Sequence, residues 1–385
     1  MRRMTSALVG LLLAGVGATP AHAETVRSKQ WHLDAMKADD LWKISTGTGV
    51  TVAVIDTGVA RIPELEGRVA PGRDFAPETI EGDERVDYKN HGTSMGAIIA
   101  GNGKGPGGTE SAFGLAPDAK IQSLRVDLNG NGVSRDTTLV DAIRYAADSE
   151  AKILNISLGG WGDTGELRSA VRYALTKGKL IFAGVGNDGA EQVNYPAGIP
   201  GVVGVGAVDA DGVATKESTH NNSVDISAPG ADIISGCSGG TGLCTSHGTS
   251  DATALASASA ALLWSAHPTW TNNQILRVLL NTAGKPVDGA QRNDYIGYGV
   301  VRPRVALPTP GDPGPPDVYP LPDLAAAGAG TPSPGGKITP SPAPQPQAAV
   351  KKSDGGGPPW IALGLGACVL IGGAVTAVVV RRAKH

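Results

Sequence analysis

Apolar and polar positions alternate along the chain in two registers. Short β-branched runs at Val50–Ile55, Lys120–Val126, Lys152–Ser157, Leu180–Val185 and Val202–Val208 are apolar almost throughout, as strands buried on both faces should be. Between them lie stretches with apolar residues at helical spacing: Asp34–Ile44, His91–Ala100, Thr137–Ser149, Glu166–Lys177, Thr249–Ala266 and Thr271–Thr282. Strand and helix signals in alternation predict an α/β domain with a parallel central sheet and helices on both faces. The last helix has a sequence-readable start, because Thr271 precedes Ile275, Leu276, Val278 and Leu279 as a cap would. No internal repeat interrupts the pattern.

The two ends follow different rules. Arg2-Arg3, the apolar stretch from Leu8 to Val16 and the small-residue site Ala21-His22-Ala23 predict a signal peptide over residues 1–23. From Trp360 to Val380 the chain is apolar for about one bilayer crossing, and Arg381-Arg382-Ala383-Lys384 follow. This predicts a transmembrane helix over 359–380 with a cytoplasmic tail at 381–385, so everything between signal and span lies outside the cytoplasm at the cell membrane. Residues 306–358 are rich in Pro, Gly and Ala, a composition expected to form an extended linker. The globular domain is then expected over 24–305.

Composition narrows the function classes. The 385 residues carry a formal net charge of −3, which provides no basic field for nucleic acid. Three cysteines are present; Cys237 and Cys244 lie close together in a Gly-rich loop and are expected to form a disulfide outside the cytoplasm. Cys368 falls within the apolar span and reads as a packing residue.

Candidate chemistry sits where strands end and helices begin. Ser250 lies in Ser246-His247-Gly248-Thr249-Ser250-Asp251-Ala252, at the start of an alanine-rich helix. Alone this reads as an ordinary N-cap. Upstream, however, the run Val50–Ile55 ends in Asp56-Thr57-Gly58, and Asn90-His91-Gly92-Thr93-Ser94-Met95 opens another small-residue helix. An Asp, a His and a Ser at α/β junctions are the parts of a serine hydrolase: orienting carboxylate, base and nucleophile.

In this order, Val54-Ile55-Asp56-Thr57-Gly58-Val59, His91-Gly92-Thr93-Ser94-Met95 and Gly248-Thr249-Ser250 resemble the three signature motifs of the subtilisin-like serine proteases. The resemblance runs from about residue 31 to 305 and takes in Asn155-Ile156-Ser157-Leu158-Gly159-Gly160, Gly186-Asn187-Asp188-Gly189 and Gly297-Tyr298-Gly299. It implies a subtilisin-like fold and endopeptidase activity on protein or peptide substrates. It also implies Asp56, His91 and Ser250 as the catalytic triad and Asn187 as oxyanion donor. Ser157, Leu158 and Gly159 would line one side of the substrate strand and Gly130, Asn131 and Gly132 the other.

Within that family the chain is most similar to the mycosins, membrane-anchored proteases of type VII secretion systems. The mature part opens almost at once with Gln30-Trp31-His32-Leu33, which leaves no room for a folded inhibitory prodomain, and a single span follows the Pro-rich segment. A type VII secretion membrane complex is then the implied partner. A competing reading is a structural subunit that stabilises such a complex, with proteolysis secondary. No cofactor is implied. Structural calcium is not excluded, but Asp209, Asp211 and Asp225 lack metal-ligand spacing and read as turn residues, so no metal is assigned. Two positions depart from the common family pattern: Asp251 stands where a Met usually follows the nucleophile, and Ala254 where a Pro is usual.

Overall fold

The computed structural model describes residues 24–128, 136–160 and 162–326, all within one compact unit. The expected signal peptide, Gly130, Asn131 and Gly132, and the expected transmembrane helix and tail lie outside the described residues. Among the described residues no helix is long and apolar enough to cross a membrane.

The sheet is built from β1 (Thr51–Asp56), β2 (Val69–Asp74), β5 (Lys120–Arg125), β6 (Ile153–Ile156), β7 (Leu180–Gly184), β8 (Val203–Val208) and β9 (Ile226–Pro229). Their order is β2-β5-β1-β6-β7-β8-β9, and every neighbouring pair is parallel. The interior strands are the five that the apolar runs predict. The two edges, β2 and β9, escape that pattern for a physical reason. An edge strand tolerates proline and needs no continuous apolar run; β2 contains Pro71 and Gly72, and β9 ends at Pro229. Two antiparallel hairpins add β3 (Asn102–Lys104) with β4 (Glu110–Phe113), and β10 (Ile233–Gly236) with β11 (Leu243–Ser246). Cys237 and Cys244 close the second hairpin as a disulfide.

The helices are α1 (Val26–Lys29), α2 (Trp31–Met36), α3 (Ala38–Leu41), α4 (His91–Ala100), α5 (Asp136–Asp148), α6 (Gly165–Thr176), α7 (Thr249–Ala266), α8 (Asn272–Thr282), α9 (Pro303–Ala306) and α10 (Asp323–Ala326). The single helix expected over Asp34–Ile44 is instead α2 and α3, broken at Lys37, which takes a left-handed conformation (φ 60°, ψ 44°). The break preserves the apolar stripe, since Leu33, Met36, Ala38 and Leu41 are all buried. Helix α7 is buried on almost every side, which its alanines and serines permit; it packs against α4 and against β6, β7, β8 and β9. Helices α5 and α6 form a second packed pair.

The globular part continues past the expected boundary at residue 305. Tyr319, Leu321 and Leu324 are buried in the main core. The Pro-rich stretch before them is tied down by side chains of α8. Arg277 donates to the carbonyls of Pro313 (2.7 Å) and Pro315 (3.0 Å), Gln274 to Gly314 (2.9 Å) and Asn273 to Pro316 (2.9 Å). Proline lacks an N–H but keeps its carbonyl, so such a segment docks as an acceptor row once donors face it. Residues 306–326 therefore belong to the domain, and the expected linker is shorter than its composition indicates.

Candidate active site

Strand order reverses about β1, which lies between β5 and β6, and the carboxyl ends of β6 and β7 open into a cleft that His91, held by the last residue of β1, also lines. Ligands of open α/β sheets gather at such switch points. The cleft has a volume of about 510 Å³, and His91, Ser157, Leu158, Gly159, Asn187 and Ser250 line it.

Asp56 is the last residue of β1 and is fully buried. His91 opens α4, with 34% of its side chain exposed. Its Nδ1 lies 2.8 Å from Asp56 Oδ1 and 2.9 Å from Oδ2. A carboxylate accepts only, so Nδ1 carries the proton and Nε2 of the neutral ring is left to accept from the cleft side. The closeness of α4 to the end of β1 depends on Gly92. A Cβ there would fall 2.3 Å from the Gly58 carbonyl oxygen and 2.9 Å from Asp56 Cβ. The same turn is braced by Asp87, which the sequence reading missed. Asp87 accepts from the Thr57 hydroxyl (2.7 Å), from the Asn90 N–H (2.8 Å) and from the N–H and hydroxyl of Thr93 (2.8 and 2.6 Å). It thus satisfies free donors at the start of α4. A carboxylate four residues ahead of the helix was the available signal.

Ser250 is the second residue of α7, so its N–H belongs to the first turn, where helix donors have no partner within the helix. Its hydroxyl donates to the Ser157 carbonyl at 3.1 Å, and the Ser157 hydroxyl returns a bond to the Ser250 carbonyl at 3.0 Å. This pair locks the start of α7 to the end of β6. Asn187 is exposed in the cleft and accepts from the Thr249 N–H through Oδ1 at 2.8 Å. A donor facing Oδ1 fixes the orientation of the amide and leaves Nδ2 free for the cleft. Gly248 makes the approach possible: its φ is 130°, and a Cβ would lie 2.9 Å from Asn187 Nδ2. Six of the residues named from sequence thus meet in this cleft with Asp56 beneath them. Lys89, Leu128, Gly184, Gly186, Asp188, Asn194 and Thr249 also line it.

Electrostatics favour a charged imidazole. Burial pulls the His91 pKa down, but the charge and hydrogen bond of Asp56, with the charges of Asp251 and Asp87, outweigh it and the net shift is upward. Asp251 is buried in the first turn of α7 and accepts from the Ser246 hydroxyl at 2.5 Å. Burial raises its own pKa to about 6, against the opposing pull of Ser246 and His91. Above that pH it is an anion that holds a proton on His91. Asp251→Met therefore lowers the His91 pKa and moves the acid limb of kcat/KM to lower pH, because that limb follows the free base. Superimposable acid limbs for the two proteins would remove Asp251 from this role.

Of the acidic residues considered for calcium, Asp209 accepts from the N–H groups of Asp211 and Val213, both at 3.0 Å, as a turn residue does. Asp225 accepts from the Gly204 N–H at 2.9 Å.

Similarity to known proteins agrees with this arrangement. The chain is 37% identical to the thermophilic serine proteinase of Bacillus sp. (strain AK1) over 264 residues, 68% of this chain and 62% of that protein, so less than two thirds of that relative's length is spanned. It is 34% identical to subtilisin E of Bacillus subtilis (strain 168) over 243 residues, 62% of this chain and 61% of that one. Among solved structures, MycP1 from Mycobacterium smegmatis superposes with a TM-score of 0.64 at 29% identity, covering 75% of this chain and 86% of that chain. The MycP3 protease from the type VII (ESX-3) secretion system gives 0.62 at 31% identity, covering 72% and 87%. Residues 47–299 match the family model for subtilases, a span that holds Asp56, His91, Asn187 and Ser250 together, and the chain belongs to the subtilase family.

Proposed function

We propose that this protein is a membrane-anchored, extracytoplasmic serine endopeptidase associated with a type VII secretion complex. The observation that carries the enzymatic part is the short contact between Asp56 and His91, which lines with Ser250 a cleft at the carboxyl ends of β6 and β7. The Ser250 hydroxyl turns from the Ser157 carbonyl toward His91, gives up its proton to Nε2 and attacks the scissile carbonyl. His91 then protonates the leaving amine, while Asp56 keeps Nδ1 protonated and offsets the imidazolium charge. The negative oxygen of the tetrahedral intermediate is received by Asn187 Nδ2 and the Ser250 N–H. Collapse of that intermediate breaks the C–N bond and leaves an acyl ester on Ser250; water then gives a proton to His91 and attacks the ester carbonyl, and His91 returns the proton to the Ser250 oxygen as the carboxylic acid departs.

Asn187→Ala removes one of these two donors. Its expected effect is a fall in kcat of about 10²–10³-fold with KM nearly unchanged, the size that loss of this donor has in subtilisin. Steady-state kinetics on one peptide substrate reads the split; a loss confined to KM would assign Asn187 to ground-state binding instead.

Anchoring rests on the apolar run Trp360–Val380 and the basic residues after it. The secretion context rests on likeness to MycP1 and MycP3, one MycP1 structure being described as an essential component of the type VII (ESX-1) secretion system. That description also favours the second reading, a subunit needed for assembly. Labelling the full chain with a fluorophosphonate tests the nucleophile, with Ser250→Ala as the control that must not label. Secretion by cells carrying Ser250→Ala, compared with cells lacking the protein, tests the rest. Normal secretion with Ser250→Ala and none in the deletion would make assembly the principal role.

A further inference from the structure

Asn90 immediately precedes His91 and holds a left-handed conformation, φ 63° and ψ 8°. An asparagine before a helix ordinarily spends its side chain on the free N–H groups of the first turn. Here it makes no such bond, and Asp87 meets that need through the Thr93 N–H at 2.8 Å. The Asn90 carboxamide grips Ser238 instead, 148 positions away. Its Oδ1 accepts from the Ser238 N–H (2.9 Å) and hydroxyl (2.8 Å), and its Nδ2 donates to the Ser238 carbonyl (3.2 Å). Nδ2 also lies 4.0 Å from Cys244 Sγ. Four residues further along, the buried Ser94 hydroxyl meets the Ser235 hydroxyl of β10 at 2.7 Å. Asn90 just before the helix and Ser94 within it thus tie the start of α4 to the β10–β11 hairpin at two points.

The tip of that hairpin has little means of holding its own shape. Of residues 238–242, Gly239, Gly240 and Gly242 are glycines at positive φ. A glycine-rich tip has many accessible conformations and few side chains to pack. It is closed by the Cys237–Cys244 disulfide and by two backbone bonds, from the Cys237 N–H to the Gly242 carbonyl and from the Gly242 N–H to the Gly239 carbonyl, both at 2.9 Å.

We propose that the disulfide-closed tip is a positional clamp on the general base. Through Ser238 and Asn90 it fixes where α4 begins, and so where the His91 imidazole stands relative to Ser250. Asn90 is then a positioning residue for the proposed hydrolysis, and the proposal rests on His91 being the base. The lever is geometric: His91 follows Asn90 directly, and a displacement of about 1 Å in a reacting group is enough to cost on the order of 100-fold in rate.

The full chain in detergent provides the test, as wild type, Asn90→Ala, the double variant Cys237→Ser/Cys244→Ser, and the three changes combined. The expected result is a fall in kcat on the order of tenfold for Asn90→Ala and for the cysteine pair, with KM little changed, and no further fall when they are combined. Groups acting through one path give such non-additivity, whereas separate losses of stability would add. A second readout needs no turnover: the pH titration of the His91 imidazole by NMR on chains carrying labelled histidine. Asn90→Ala and the cysteine pair should displace it in the same direction, with the combined variant no further displaced. Additive losses in kcat, or a His91 titration that the cysteine pair leaves unmoved, overturn the clamp. If Ser250 of the wild type does not react with a fluorophosphonate, the hydrolase reading falls, and the His91 titration alone still decides whether the hairpin positions the imidazole.

Discussion

Ser250→Ala is expected to lower kcat for peptide hydrolysis on the order of 10⁶-fold, the size this change has in subtilisin, while leaving the protein folded. The magnitude follows from what remains. Without the hydroxyl no acyl-enzyme forms, and His91 and Asp56 have no nucleophile to serve, so the three side chains lose their effect together. The structural cost is small by comparison. The hydroxyl is partly exposed and its one bond is to the Ser157 carbonyl at 3.1 Å, worth about 1 kcal/mol to the fold. Progress curves with purified protein, beside a thermal melt, separate the two effects. Residual turnover within 100-fold of wild type in the absence of a contaminating protease would mean that another residue is the nucleophile.

That prediction draws on residues that stand out in the sequence, and much of the rest does not. The interior strands are legible because burial on both faces demands continuous β-branched or apolar runs, as in Val52-Ala53-Val54-Ile55. Edge strands β2 and β9 answer to no such demand. The break at Lys37 was hidden because two short helices and one long helix present the same apolar stripe. The docking of residues 306–326 was hidden for another reason: prolines and glycines signal an extended chain, and only the donors of α8, about 40 positions away, turn that chain into a packed one.

The site divides in the same way. Asp56, His91 and Ser250 each sit in a local pattern whose chemistry is readable, a strand end or a helix start with small neighbours. Asp87 and Asn90 lie in plain view beside His91, yet their work is set by partners elsewhere: Thr57 and Thr93 for one, Ser238 for the other. A carboxylate or amide near a helix start reads as a cap from sequence, and only the fold distinguishes a cap from a brace between two elements. The lining residues Gly186 and Asn194 are of the same kind, since a cleft wall is a property of separate elements meeting and not of any one segment.

Asp56→Asn is expected to lower kcat by about 10⁴-fold with little change in the shape of the cleft, the size of this substitution in a serine protease triad. The reason is the identity of a proton. Asp56 accepts from the Thr57 N–H at 2.7 Å as well as from His91. An asparagine keeps its oxygen toward Thr57, because a backbone N–H accepts nothing, and turns its NH₂ toward His91. The NH₂ then stands at the Oδ2 position, 2.9 Å from Nδ1, where it favours a ring that accepts at Nδ1 and carries its proton on Nε2, on the side facing Ser250. A protonated Nε2 cannot take the serine proton, so the base is present but reversed. The buried negative charge is lost as well, and with it the largest pull raising the His91 pKa. The imidazole of the variant should therefore titrate at lower pH while activity stays low on both sides of that transition. Followed by NMR alongside kcat, a normal downward-shifted titration with lost turnover identifies the tautomer as the cause. Activity that returned once the variant imidazole was deprotonated would show that Asp56 acts only through its charge.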